Sequence, residues 1–268
     1  EQILQVTADD WRLSDLKAPY LVGATIYQAY KFLQNNELDF SIVIVDEASQ
    51  MPIAHAIPAL LNAPRCVVAG DHRQLPPVLK STLHPDVLKQ SAFEYFAKMY
   101  PQSTIPLDIT FRMNKEINEF PSRTFYSDQL RPSPCAADRM FVPIVNDLDE
   151  LKHVVCRSGS VTYVELDHRD AIQQAPAEAD LVARMVRSLL LYHKVAPENL
   201  AVVSPHRAHN EAIREKLLNW QDSDASMQAL ANRVVVDTVE RLQGEERDVI
   251  LYSLCASNRQ YAINRAQF

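Results

Sequence analysis

The chain has 268 residues, 47% hydrophobic and 23% charged, with a formal net charge of −7. This composition excludes a disordered chain and leaves room for one large domain or two modest ones. No run reaches the ~18 apolar residues of a membrane span and the opening EQILQVTADDW lacks the regions of a signal peptide, so an intracellular, cytoplasmic protein without membrane contact is expected.

Net acidity argues against a nucleic-acid footprint spread over the whole surface, because affinity for a phosphate backbone comes from Lys and Arg that displace counterions. Any such binding has to be local.

In chain order, YLVGA at residues 20–24 reads as a short strand, and residues 26–33 as a helix closed by Asn35-Asn36. Residues 42–45 are β-branched and apolar, the composition of a strand buried on both faces of a parallel sheet. The run stops at Asp46-Glu47. Residues 66–69 repeat the pattern and empty into Gly70-Asp71-His72-Arg73-Gln74. Two strands thus deliver polar groups to one carboxyl edge, where open α/β sheets place their ligands. There Asp46 can hold a hydrated magnesium, Glu47 can orient or deprotonate a water, and Gln74 can reach a terminal phosphate. The plainer reading of Asp-Glu is a helix N-terminus, where acidic residues are favoured by exposed amide groups.

Residues 85–100 have Leu88, Ala92, Tyr95 or Phe96, and Met99 at helical spacing, which predicts an amphipathic helix facing the core. Pro101 and Pro106 bracket a polar passage and predict a hinge, dividing the chain into residues 1–104 and 105–268. LDITFRM follows as an extended segment, and Arg112 at its end has Asp108 and Glu116 as local ion-pair partners. Arg131-Pro132-Ser133-Pro134 reads as a loop. Residues 136–160 are irregular, with 141–145 and 153–156 as candidate strands.

From Ser160 the alternation is regular: a strand at 161–166, a polar loop, a helix at 177–193, a strand at 200–203 running into Ser204-Pro205-His206-Arg207, and a helix carrying Ile213, Leu217 and Trp220. Strands at 234–236 and 249–254 close the pattern, separated by DTVERLQGEE. Alternating strands and helices of these lengths predict parallel α/β layers, in two units. Cys66, Cys135, Cys156 and Cys255 lack C-x-x-C spacing and read as reduced core filler. His206 and His209 have metal-site spacing but no third ligand near in sequence. Gly244 reads as a turn glycine and Glu245-Glu246 as a solvated acidic pair. None of the four glycines belongs to a G-x-x-x-x-G-K-[ST] loop.

VIVDEASQ, GDHRQLPP, ITFRM with FPSRTFY downstream, VVSPHRAHNEAI and VVVDTVERLQGEERDVILYS stand in the order of motifs II, III, the arginine-bearing segment, IV and V. In this the chain resembles the superfamily 1B helicases over residues 20–258. The resemblance implies an α/β fold of two RecA-like parallel-sheet domains (the P-loop NTPase fold), the first incomplete at its N-terminus and the second at its C-terminus. It implies ATP and Mg2+ as cofactors, single-stranded DNA or RNA as partner, and movement from 5′ to 3′.

Position by position, the resemblance gives magnesium to Asp46, water activation to Glu47 and γ-phosphate sensing to Gln74. Arg112 matches the arginine finger, Phe111 the aromatic that stacks on the base, and Gly244 with Glu245 the nucleotide-contacting pair. Thr25, Ser204, Pro205 and Thr238 match segments that touch the nucleic-acid backbone. His206 and Leu242 depart from the pattern, standing where the family more often has an aromatic and a phenylalanine.

The Walker A loop would precede Glu1, and YAINRAQF with Arg265 falls too early for motif VI. The chain alone is therefore expected to hydrolyse little ATP. The alternatives are a catalytically inactive helicase-like module for nucleic-acid or protein binding, or a remodelling translocase that does not unwind.

Overall fold

The structure, a computed structural model, describes residues 21–35, 40–77, 90–219 and 225–258. Tyr20, Asn36, Pro85, Leu88, Trp220 and Arg265, which enter the sequence reading, lie outside these. The chain divides into two compact units, Glu1–Pro106 and Leu107–Phe268.

In the first unit, helix α1 (Ile26–Asn35) precedes strand β1 (Val43–Val45), helix α2 (Ile53–Leu60), strand β2 (Cys66–Val68) and helix α3 (Ala92–Met99). The two strands pair in parallel with Val43 opposite Cys66 and Val45 opposite Val68. Val45, Ala48, Ile53, Ala56 and Ala92 form the core, and Phe93 and Phe96 pack against it. Gly70 is dictated by proximity: a Cβ there would sit 2.8 Å from the Ser49 backbone nitrogen.

Two expectations change here. Residues 21–25 form no strand. The β1–β2 sheet is covered on one face only, since Ile44 is 62% and Val67 49% exposed; burial on both faces needs helices on both sides, and the described elements of this unit supply one. Of the helix expected over 85–100, residues 85–89 lie outside the described residues; within 90–100 it runs Ala92–Met99, capped by the Ser91 hydroxyl, which accepts from the Glu94 N–H at 3.0 Å.

In the second unit, strands β3 (Ile109–Thr110) and β4 (Arg131–Pro132) flank helix α4 (Lys115–Phe125) and pair in parallel. Asn114 caps α4 by accepting from the Ile117 N–H at 2.9 Å. The predicted loop at Arg131-Pro132 is thus a short strand, with the Arg131 N–H donated to Asp108 O at 2.8 Å. Residues 141–145 form no strand, and 153–156 fall largely in the short helix α5 (Lys152–Val155). Residues 161–166 also stay outside any sheet, with Val161 and Tyr163 exposed.

Helix α6 (Pro176–Leu191) then leads to β5 (Leu200–Val203), α7 (Arg207–Leu218), α8 (Ala225–Ala231), β6 (Val235–Asp237), α9 (Val239–Leu242) and β7 (Val249–Tyr252). The strands form a parallel sheet in the order β6-β5-β7. All four residues of β5 are buried, as a central strand between helical layers requires. Val186 and Leu189 of α6 and Ile213 and Leu217 of α7 fill the core around it. Strand β7 ends two residues before the expected 254, and Cys255 turns the chain with φ +52. The four cysteines are free thiols, but Cys255 alone is buried, while Cys66 and Cys135 are exposed. The core-filler reading holds for that one residue.

Candidate functional site

Asp46 and Glu47 follow β1, Gln74 lies in the loop after β2, Phe111 and Arg112 follow β3, Ser204 and Pro205 follow β5, and Thr238 follows β6, each beyond the carboxyl end of a parallel strand. In the first unit, Val45 pairs with Val68 as the last rung of the ladder. Asp46-Glu47 and Ala69-Gly70 therefore leave the sheet side by side, and Ala48 N–H to Ala69 O at 2.9 Å fastens the two exits together.

Glu47 has φ +50. That left-handed conformation costs a non-glycine residue about 1–2 kcal/mol, and it persists because both sides are pinned. The Glu47 N–H donates to Asp46 Oδ1 at 2.9 Å, and Gln50 Nε2 donates to Glu47 Oε2 at 3.1 Å. Both carboxylates are exposed. Asp46 keeps its other oxygen without a hydrogen bond among the described residues, which suits a magnesium held through one carboxylate with water completing its shell. Among the described residues no three His, Cys, Asp or Glu side chains gather as a metal site, so an all-protein cage is not what this edge offers.

Gln74 is exposed, and its amide donates to Asp71 Oδ2 at 2.9 Å. The other Asp71 oxygen accepts from the Arg73 N–H at 2.9 Å. Asp71 thus organises the turn that presents Gln74. Thr25 sits immediately before α1, where the Gln28 side chain reaches back to its N–H at 3.0 Å, one half of a capping box.

In the second unit, Val203 lies opposite Asp237, which makes Ser204 and Thr238 neighbours at one sheet edge. Both are buried. The Ser204 hydroxyl is spent on its own turn, donating to His206 O at 3.2 Å. Thr238 stands just before α9, and its N–H donates to Asp237 Oδ1 at 2.8 Å, while Pro205 is partly exposed in the turn between β5 and α7.

Arg112 does not pair with Asp108 or Glu116. Its Nε donates to Glu246 Oε1 at 2.6 Å, Asp108 lies 3.7 Å from Arg131, and Glu116 accepts from the Ser160 N–H at 2.6 Å. The hydrogen bond from Arg112 holds the Glu246 carboxyl below its ordinary range. Glu245 is bound by Arg247 at 2.5 Å, so the two acids are ion-paired rather than a free solvated pair. Gly244 turns the chain with φ +86, and Phe111 is exposed, its carbonyl held by Arg139 at 3.2 Å. The second unit therefore brings Phe111, Arg112, Gly244 and Glu245 into one locality.

Sequence reasoning missed Glu246 and Arg139, the groups that fix Arg112 and Phe111. The Arg112–Glu246 contact spans 134 residues, a separation at which no local spacing gives a signal. It also missed Glu178. This carboxylate accepts from Ser253 Oγ at 2.5 Å, the Cys255 N–H at 2.9 Å and His168 Nε2 at 2.6 Å, and His209 bonds Ser253 Oγ at 2.8 Å. Burial raises Glu178, but those hydrogen bonds outweigh it and leave the group below its ordinary 4.5. Burial pushes the Cys255 thiol up to about 12, so it is no nucleophile near neutral pH.

A family model described as an AAA domain matches residues 88–266, and a second of the same description matches residues 16–82. The chain is similar to the uncharacterized ATP-dependent helicase MJ0104 of Methanocaldococcus jannaschii, with 27% identity over 80% of this chain and 31% of that protein. It is similar to the DNA-binding protein SMUBP-2 of Mesocricetus auratus, with 28% identity over 89% of this chain and 24% of the relative. The DNA replication ATP-dependent helicase/nuclease dna2 of Schizosaccharomyces pombe is 26% identical over 90% of this chain and 18% of its own length. The chain thus spans less than a third of each of these relatives.

Proposed function

We propose, from the premise that this chain belongs to the AAA-domain family as a superfamily 1B-type helicase domain, that it carries the working surfaces of an ATP-driven motor on single-stranded nucleic acid. Membership in the family carries the P-loop NTPase fold with it. The finer reading is two RecA-like domains in an intracellular, cytoplasmic protein, with hydrolysis coupled to 5′ to 3′ movement along DNA or RNA.

The observation that carries the proposal is Glu47, held in a left-handed conformation at the carboxyl edge of β1 by Asp46 and Gln50. Strain of this kind collects where a side chain must be aimed rather than merely packed. Glu47 takes a proton from the attacking water and fixes its approach. Asp46 would hold magnesium, and the ion, when bound, would supply neutralisation of charge on the phosphate oxygens. Gln74, presented by Asp71, reports on the terminal phosphate. Arg112 offers a guanidinium to charge developing on the transferring group, Phe111 stacks on the base, and Gly244 and Glu245 border the nucleotide. Thr25, Ser204, Pro205 and Thr238 line the path of the strand, with the buried Ser204 and Thr238 acting through the turns they build.

The test uses the full-length protein. ATP turnover should rise when a single strand is added, and a streptavidin-capped strand should lose its cap faster at one end than at the other. Turnover without any response to the strand, and equal displacement from both ends, would contradict the motor reading.

A further inference from the structure

The start of α3 is fastened to both chain exits that carry Glu47 and Gln74. The first N–H groups of a helix find no partner within it. In α3 the Ser91 hydroxyl takes the Glu94 N–H at 3.0 Å, and the other two go to the chain just past Glu47: Ala92 N–H donates to Met51 O at 2.7 Å and Phe93 N–H to Ala48 O at 3.2 Å. Ile53 N–H donates in return to Gln90 O at 3.2 Å. The segment after Glu47 is thus stitched to residues 90–93 as well as to Ala69.

Phe93 also reaches the second exit. A Cβ at Gly70 would lie 3.1 Å from both Cβ and Cγ of Phe93, so glycine is what lets the chain leaving β2 run against this side chain. Two residues on, the His72 ring stacks on Phe93, with centroids 6.1 Å apart and planes inclined by 13°. His72 follows Asp71, whose carboxylate accepts from the Gln74 amide and from the Arg73 N–H at 2.9 Å each. His72 is exposed and Phe93 half-buried, so the stack lies at the margin of the core.

One residue therefore bears on both groups: its N–H fixes the carbonyl next to Glu47, and its ring fixes the turn that presents Gln74. We infer that Phe93 is a positioning residue, setting the Gln74 amide against the Glu47 carboxylate while touching neither phosphate nor water. The inference rests on the roles proposed for Glu47 and Gln74 and adds what keeps them in register. Misplacement of reacting groups by ~1 Å can cost about a hundredfold in rate, so a ring that limits such movement acts on turnover more than on nucleotide affinity.

The experiment measures strand-stimulated ATP turnover of the full-length protein. Phe93→Leu keeps an apolar side chain but no flat ring, and should lower kcat about tenfold with KM for ATP within about twofold. Phe93→Tyr keeps the ring and should restore kcat. His72→Ala removes the exposed partner and leaves the core intact; it should lower kcat as Phe93→Leu does, and the double variant should fall no further, since both changes remove the same contact. Phe96→Leu, at an α3 aromatic packed on the same core, should leave kcat unchanged.

Unchanged kcat in Phe93→Leu or His72→Ala, beside an inactive Glu47→Gln, would overturn the positioning role and leave the motor reading standing. A loss that Phe93→Tyr does not restore, that Phe96→Leu reproduces, or that adds to the His72→Ala loss would make Phe93 a packing residue only. A parent protein without ATP turnover would bring down both readings.

Discussion

Glu246 accepts a 2.6 Å hydrogen bond from Arg112 Nε, joining a segment at the start of the second unit to the turn that follows Gly244. Both side chains are more than half exposed, so the pair contributes at most about 1 kcal/mol to stability. Its effect is to aim a guanidinium. Arg112→Ala should therefore leave the unfolding free energy within about 1 kcal/mol of the parent chain, while turnover in the full-length protein falls by about 10³-fold, the scale of a lost arginine finger. Arg112→Lys should not restore it, because a point charge does not reproduce the planar fork. A large stability loss in chemical denaturation, with turnover spared, would make Arg112 a structural residue.

Glu47 should trade stability against turnover. Glycine adopts φ +50 without the steric cost that glutamate bears there. Glu47→Gly should raise the unfolding free energy by up to about 1 kcal/mol, offset in part by the entropy that glycine adds to the unfolded chain. ATP turnover in the full-length protein should be lost. A destabilised Glu47→Gly chain would remove the strain on which the proposal rests.

The glycines differ in a way denaturation can read. Gly70→Ala forces a methyl to 2.8 Å from Ser49 N and 3.1 Å from Phe93, an overpacking that should cost about 1–3 kcal/mol. Gly244→Ala meets open space but keeps φ +86, and should cost about 1 kcal/mol through backbone strain alone. Gly23→Ala has nothing within 4 Å and should be neutral.

Acid should weaken the second unit in two stages. Burial holds His209 below its ordinary 6.5, with Glu178 opposing and the His206 and His168 charges reinforcing the shift. The unfolded chain therefore binds the proton more readily, and stability present above pH 6.5 is lost as pH falls toward the lowered folded value. Glu178 also lies below its ordinary 4.5, so a second loss begins below that pH. Urea unfolding at a series of pH values should show both declines. His209→Gln should flatten the first and Glu178→Gln the second; unchanged profiles would mean that other groups control acid unfolding.

Elements with strong local signals were legible in the sequence. The β-branched runs at Val43–Val45 and Leu200–Val203 are strands, and the apolar period of residues 177–193 is a helix. Residues 161–166 carry the same apolar composition and form no strand, because composition reports a tendency to pair and the described fold gives this segment no neighbouring strand. Two-sided burial failed for Ile44 because burial depends on what covers a sheet, which lies elsewhere in the chain. At the candidate site the sequence singled out Asp46, Glu47, Gln74 and Arg112, and the structure places each of them beyond the carboxyl end of a strand. What the sequence could not supply were the long-range partners: Glu246 on Arg112, Arg139 on the Phe111 carbonyl, and the buried Glu178 that gathers Ser253, Cys255 and His168. Long-range polar partners leave no periodic trace.

Activation of the attacking water by Glu47 is tested most directly by Glu47→Gln in the full-length protein, measured as ATP affinity and as single-turnover hydrolysis with a saturating single strand. The amide keeps the size and hydrogen-bonding reach of the carboxylate but cannot take the proton. The account predicts unchanged ATP affinity and a hydrolysis rate lower by about 10²-fold or more; hydrolysis within twofold of the parent rate would contradict it.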